Sequence, residues 1–205
     1  MRGNSPKENV LKDIRQALLN KQTTSGADGS VPEATFIQAV DDDMSVAFAQ
    51  RFTQQGGTMH YCYNEADIAR HINEIQKLNG SDELCCGGDN LTTFLQHIGV
   101  STACTAQTDK IYPLGAVLCE ALVAWNGSIV ISSNQGLGTM LPSLNKTTIV
   151  IAFTSQVVAD WETACDRIRM LYAHFPEQIL VTSPSAYAYR KKQQQIHLIL
   201  IEDEE

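Results

Sequence analysis

The chain has 205 residues, of which 43% are hydrophobic and 19% charged, enough apolar material for one sizeable core and too little length for two comfortable domains. A formal net charge of −8 and a pI near 5.1 argue against a nucleic-acid partner, because affinity for a phosphate backbone rests on clustered Lys and Arg. The N-terminus has no signal-peptide apolar stretch and no run of about 18 apolar residues occurs, so the expectation is a cytoplasmic protein that neither leaves the cell nor spans a membrane.

Ser5-Pro6-Lys7-Glu8 has the form of a capping box, and Val10, Leu11, Ile14, Ala17 and Leu18 follow at helical spacing. A polar Gly/Ser stretch over 23–32 reads as a linker, which divides the chain into an N-terminal helix with linker, 1–34, and a body, 35–205. The helix is an arm suited to packing on the body or on a second subunit of a homo-oligomer. Asp43 caps a helix carrying Met44, Ala47, Phe48 and Phe52 that ends at Gly56-Gly57, before a strand at 58–63. Asn64 caps the next helix, with Ile68, Ile72 and Ile75 in one stripe up to Asn79-Gly80. A strand at 83–86 runs into Gly87-Gly88-Asp89-Asn90, where Asp89 or Asn90 reads as the cap of a helix through Leu91, Phe94, Leu95 and Ile98.

Two apolar runs, 117–125 and 128–132, are joined by Asn126-Gly127, a strong hairpin signal because both central residues of a type I′ turn need positive φ. A Gly-rich loop leads to Leu141-Pro142. Beyond it come a strand at 148–153, a helix capped at Asp160 with Trp161, Ala164, Ile168, Leu171 and Phe175, and strands at 178–182 and 196–201. This alternation predicts an α/β fold, an open, mostly parallel sheet flanked by helices with a small antiparallel hairpin extension.

In such a sheet the ligand crevice lies beyond the carboxyl ends of the strands. Gly87, Gly88 and Asn90 follow a strand and open a helix, where backbone N–H groups and the helix dipole favour an anion; a tight turn is the plainer alternative, and Asp89 would repel an anion. Ser133, Asn134 and Gly136 offer a hydroxyl, an amide and free backbone in the next loop, either to wrap a phosphate or carboxylate or simply to connect. Pro184 and Ser185 follow a strand at the same expected end. Glu120 lies inside the apolar run 117–125, where burial would suit it to general acid–base catalysis, unless alternation turns it to solvent. The five histidines are scattered singly, and the six cysteines, Cys62, Cys85, Cys86, Cys104, Cys119 and Cys165, lack CxxC spacing. Reduced thiols are expected, with no metal site and no cofactor.

Residues 122–129, 140–144, 181–190 and 195–201 form four blocks that, in this order and with a strand and a helix between them, resemble the LutC-like lactate-utilisation (LUD) domain family. That family's type of sequence runs I-A-D/E-T-G-T-L, then L-L-P, then T-G-P-S-R-T-A-D-I-E and a final apolar strand. The resemblance covers roughly 114–202. It implies the fold of glucosamine-phosphate isomerases, ribose-phosphate isomerases and CoA transferases, and a part in oxidising lactate to pyruvate beside iron–sulfur partner subunits, with a small carboxylate or phosphate ligand. It also adds Asn126, Gly127 and Ser128, at the matched turn, to the ligand-binding candidates. The chain departs from the family at Trp125, Ala186 and Tyr189, where charged or polar residues are expected. A stand-alone enzyme acting on a small phosphorylated or acyl substrate, and a catalytically silent interaction homologue, remain open beside the family reading.

Overall fold

The computed structural model describes residues 43–82, 84–105, 112–186 and 194–203. The expected N-terminal arm, its boundary with the body, and Tyr187 and Tyr189 lie outside them. Helix α1 (Met44–Gln54) is capped by Asp43, whose carboxylate accepts from the amides of Ser45 and Val46. Strand β1 (Thr58–Cys62) follows, then α2 (Glu65–Asn79), capped by Asn64 and closed by Gly80 at φ +60°. Next come β2 (Leu84–Cys86), α3 (Asp89–His97), β3 (Cys104–Thr105) and β4 (Tyr112–Leu118). The chain continues through β5 (Ala121–Val123), β6 (Ser128–Ser132), α4 (Leu141–Leu144), β7 (Asn145–Phe153) and β8 (Val157–Val158). It ends with α5 (Trp161–Leu171), β9 (Ile179–Thr182) and β10 (Gln195–Ile201).

Six strands form a sheet in the order β1-β10-β7-β4-β2-β3, with every ladder parallel. Such strands are covered on both faces and read as near-continuous apolar runs, as β7 and β10 do. On one face, Ile68, Ile72 and Ile75 of α2 and Leu91 and Leu95 of α3 pack against Leu114, Ile149, Ile151 and Ile199. The other face carries Val117, Val150, Leu198 and Leu200, which meet Phe48 and Phe52 of α1 and Leu122, Ile129 and Ile131 of a second sheet. That second sheet has the order β8-β5-β6-β9, and its outer face is covered by Ala164 and Ile168 of α5. The hairpin extension is therefore a four-stranded mixed layer sandwiched between the parallel sheet and α5.

Two expectations are corrected. The apolar run 117–125 is not one strand: β4 ends at Leu118 in the parallel sheet, and β5 begins at Ala121 in the second one. The hairpin exists, but its last pair is Val123↔Ser128, so the turn holds four residues rather than the two of a type I′ turn. The amides of Ala124 and Trp125 donate to Val158 O and Ala159 O, beside β8, and Arg51 of α1 and Gln55, just after it, donate to the carbonyls of Ala124 and Asn126. These bonds draw the tip away from the ladder. Gly127 closes it at φ +68°, against the α1 backbone, where an added Cβ would lie 2.8 Å from Phe52 N.

Three of the histidines treated as solitary in the sequence meet between α2 and the β1–β10 seam. His60 Nε2 lies 3.3 Å from His197 Nδ1, and the His71 ring is 4.8 Å from that of His60, with Glu74 3.3 Å from His71 Nδ1 and Arg70 beside His71 Nε2. Burial, reinforced by His71 and His197, pushes His60 down from 6.5 to about 4, and burial lowers His197 too. The unfolded chain thus binds these protons more tightly than the folded one. Stability is full above pH 6.5 and is lost as pH falls from there toward 4. Urea midpoints recorded down this range should fall, and should fall less in His60→Val.

Candidate functional site

The chain passes from β2 outward to β3 and then returns to the other side of β2 with β4, after which β7 and β10 extend the sheet in that second direction. The connections therefore diverge at β2 and β4, the place where an open α/β sheet forms its crevice. A cleft of about 260 Å³ lies there. One wall is Gly87, Gly88, Asp89, Asn90 and Leu91, the floor includes Leu118, and the facing wall is Asn134, Gln135 and Gly136.

The two walls are packed backbone to backbone. Gly87 N donates to Ala116 O at 2.9 Å, and Gly87 O accepts from Leu137 N at 2.7 Å. Gly136 has φ +66°, and a Cβ on it would overlap Gly87 O, so glycine is required for both conformation and approach. At Gly88 the backbone is extended, and a Cβ would find its nearest atom, Gln135 O, at 3.6 Å.

Helix α3 begins at Asp89, so its cap is Gly88 rather than Asp89 or Asn90, and no side chain bonds the first-turn amides as a cap. The positive end of the helix dipole is left at the cleft. Among the described residues, Asp89 supplies the one charged side chain of the lining, and no Lys or Arg takes part. An anion here would be held by backbone and amide donors.

Glu120 is buried, 2% exposed, because it falls at the crossing between sheets where strand alternation no longer applies. Its Oε1 accepts from Ser132 Oγ at 2.5 Å, Gln135 Nε2 at 3.1 Å and Tyr172 Oη at 3.0 Å. Arg167 Nε donates to the backbone carbonyl of Glu120. Burial, and then the charge of Glu120, pushes the Tyr172 phenol up to about 12. The carboxylate stands behind Gln135, outside the cleft lining. Burial and donors of this kind were not readable from the sequence, since Tyr172 lies 52 residues away in the chain.

Of the residues singled out in the sequence, Gly87, Gly88, Asn90, Asn134 and Gly136 come together in the cleft. Ser133 lies beside it, its hydroxyl accepting from Gln178 N at 3.3 Å. Asn126, Gly127, Ser128, Pro184 and Ser185 gather elsewhere, at the hairpin tip. Asn126 Oδ1 accepts from Ser128 N, and Ser185 Oγ donates to Gln55 Oε1 at 2.8 Å. The register explains the separation: Ile129 faces Thr182 while Ser132 faces Ile179, so the chain leaves β9 at the tip, roughly 13 Å by strand rise from Ser133. Leu118 and Gln135 were missed, although Leu118 ends a strand and Gln135 lies between two chosen residues. Among the described residues no three His, Cys, Asp or Glu are placed to hold a metal ion, and no helix is long and apolar enough to cross a membrane.

Residues 107–201 match the family model of the LUD domain. Over these residues the chain carries a LUD domain. Among solved structures it is similar to the crystal structure of a DUF162 family protein from Deinococcus radiodurans, at a TM-score of 0.62 and 11% identity, covering 77% of this chain and 96% of that one. No curated protein matches the chain. The LUD match takes in Leu118 and the 134–136 wall of the cleft, while the Gly87–Leu91 wall precedes it. Of the departures from the family pattern, Trp125 is 52% exposed at the hairpin tip and neither it nor Ala186 lines the cleft.

Gly136→Ala should destabilise the fold by about 3 kcal/mol, through positive φ and overlap with Gly87 O. Gly88→Ala should stay within about 1 kcal/mol of the parent. Equilibrium unfolding in urea distinguishes the two.

Proposed function

We propose that this LUD-domain chain binds a small carboxylate or phosphate in the cleft between Gly87–Leu91 and Asn134–Gly136, and that it serves lactate utilisation as a ligand-binding component beside iron–sulfur partner proteins. The observation that carries the reading is the convergence of two glycine-containing loops at the carboxyl ends of β2 and β4, against a helix N-terminus with no side-chain cap. The backbone donors and the amides of Asn90, Asn134 and Gln135 suit a small anion that needs no arginine fork. The resemblance of 114–202 to lactate-utilisation proteins supports the lactate part of the reading. Electron transfer falls to the partners, which fits a chain without CxxC spacing.

L-lactate, pyruvate or phosphate at about 10 mM should raise the melting temperature as RT ln(1+[L]/Kd) predicts. The shift should shrink in Asn90→Ala/Asn134→Ala. No shift with any of the three ions would remove the anion reading. Deletion of the gene should impair growth on lactate, and unchanged growth would remove the lactate role while leaving the cleft.

A further inference from the structure

Gln135 stands between the cleft, which it lines, and the buried carboxylate behind it. Its Nε2 has two N–H bonds, and both have acceptors: Glu120 Oε1 at 3.1 Å and Tyr172 Oη at 3.2 Å. Tyr172 in turn donates to Glu120, and Ser132 donates to the same oxygen that Gln135 reaches. Glu120 is the common acceptor of this network. A reversed Gln135 amide would set its carbonyl oxygen against that acceptor and against a phenol already directed at Glu120. The amide therefore has one orientation. Its donors face the network, and its oxygen Oε1 accepts no hydrogen bond from the described residues.

We infer that Gln135 is a specificity-determining residue of the cleft, held by Glu120 and Tyr172 as an acceptor only, so that the site selects anions carrying their own hydroxyl donor over anions of the same size without one. The inference rests on the reading of the cleft as an anion site. Glu120 is then a positioning residue: it does not touch the ligand, and it fixes which end of Gln135 the ligand meets. An anion that brings no donor removes water from Gln135 Oε1 and replaces it with nothing, the situation in which buried polar groups discriminate most strongly.

Two matched pairs differ in this one feature: L-lactate against pyruvate, and hydrogen phosphate against sulfate. Calorimetric titration of the full chain should give about 10-fold or greater preference for the hydroxyl-bearing member of whichever pair binds. Glu120→Gln keeps the shape but lets the Gln135 amide reverse, so the preference should fall to about 2-fold or less. Tyr172→Phe, at a less buried position, frees one N–H of Gln135 and should reduce the preference part of the way, which keeps the test available if Glu120→Gln does not fold. A purely structural role for the network would weaken both members of a pair together and leave their ratio unchanged. Equal affinities in the parent protein, or a ratio unaltered in the variants, would overturn the inference alone. Binding of none of the four ions would overturn the anion site, and this inference with it.

Discussion

The bond from Leu137 N to Gly87 O, 2.7 Å long, joins a loop of the parallel sheet to a loop of the mixed sheet at the point where the two layers stop interdigitating. Everything that makes the cleft depends on it. The loops must approach backbone to backbone, which forces glycine at position 136 and leaves the surface between them lined by main chain, amides, two leucines and the carboxylate of Asp89. A bulkier pair of loops would fill the same crevice with side chains. The glycines therefore serve as spacers that keep the crevice open while their backbones close its far end.

The electrostatic character follows from the same economy of side chains. Among the described residues the lining holds a single charge, Asp89, while the buried carboxylate nearby, Glu120, lies a layer deeper with neutral donors around it. Burying a carboxylate without a cation is costly unless its oxygens are well bonded, and those bonds come from two segments, Ser132 and Gln135 at the end of β6 and Tyr172 at the end of α5. The carboxylate thus ties the loop after β6 to α5. Of the residues that depart from the family pattern, Trp125 and Ala186 lie outside the cleft lining.

Much of the fold could be read from local signals. Asp43, Asn64, Gly80 and Asp160 cap the helices that the apolar stripes predict, because capping is a short-range hydrogen-bonding matter. The loops at 87–90 and 133–136 were legible as ligand candidates through their glycines and their place after strands. Glu120 stood out as an acid–base candidate, but its burial was not legible, since a run of nine residues, 117–125, looks the same whether it stays in one sheet or changes sheets in the middle, and only the second case buries position 120. The hairpin tip failed for a related reason: Asn126-Gly127 prefers a tight turn locally, but Arg51 and Gln55, more than seventy residues earlier, offer its carbonyls better partners. A still longer separation, 137 residues, hid the meeting of His60 with His197.

Among the described residues the edge strand β1 pairs with β10 and with no other strand. His60 and His197, which meet across that seam, are separated by 137 positions. Closing so long a loop is entropically unfavourable before the intervening sheet exists, and contacts of this separation slow folding. As the ribosome lengthens the chain, β1 emerges early and waits, its amides and carbonyls unpaired, until β4, β7 and finally β10 have been made. The order of the sheet thus makes β1 the last strand to be seated and the segment most exposed to premature association during synthesis.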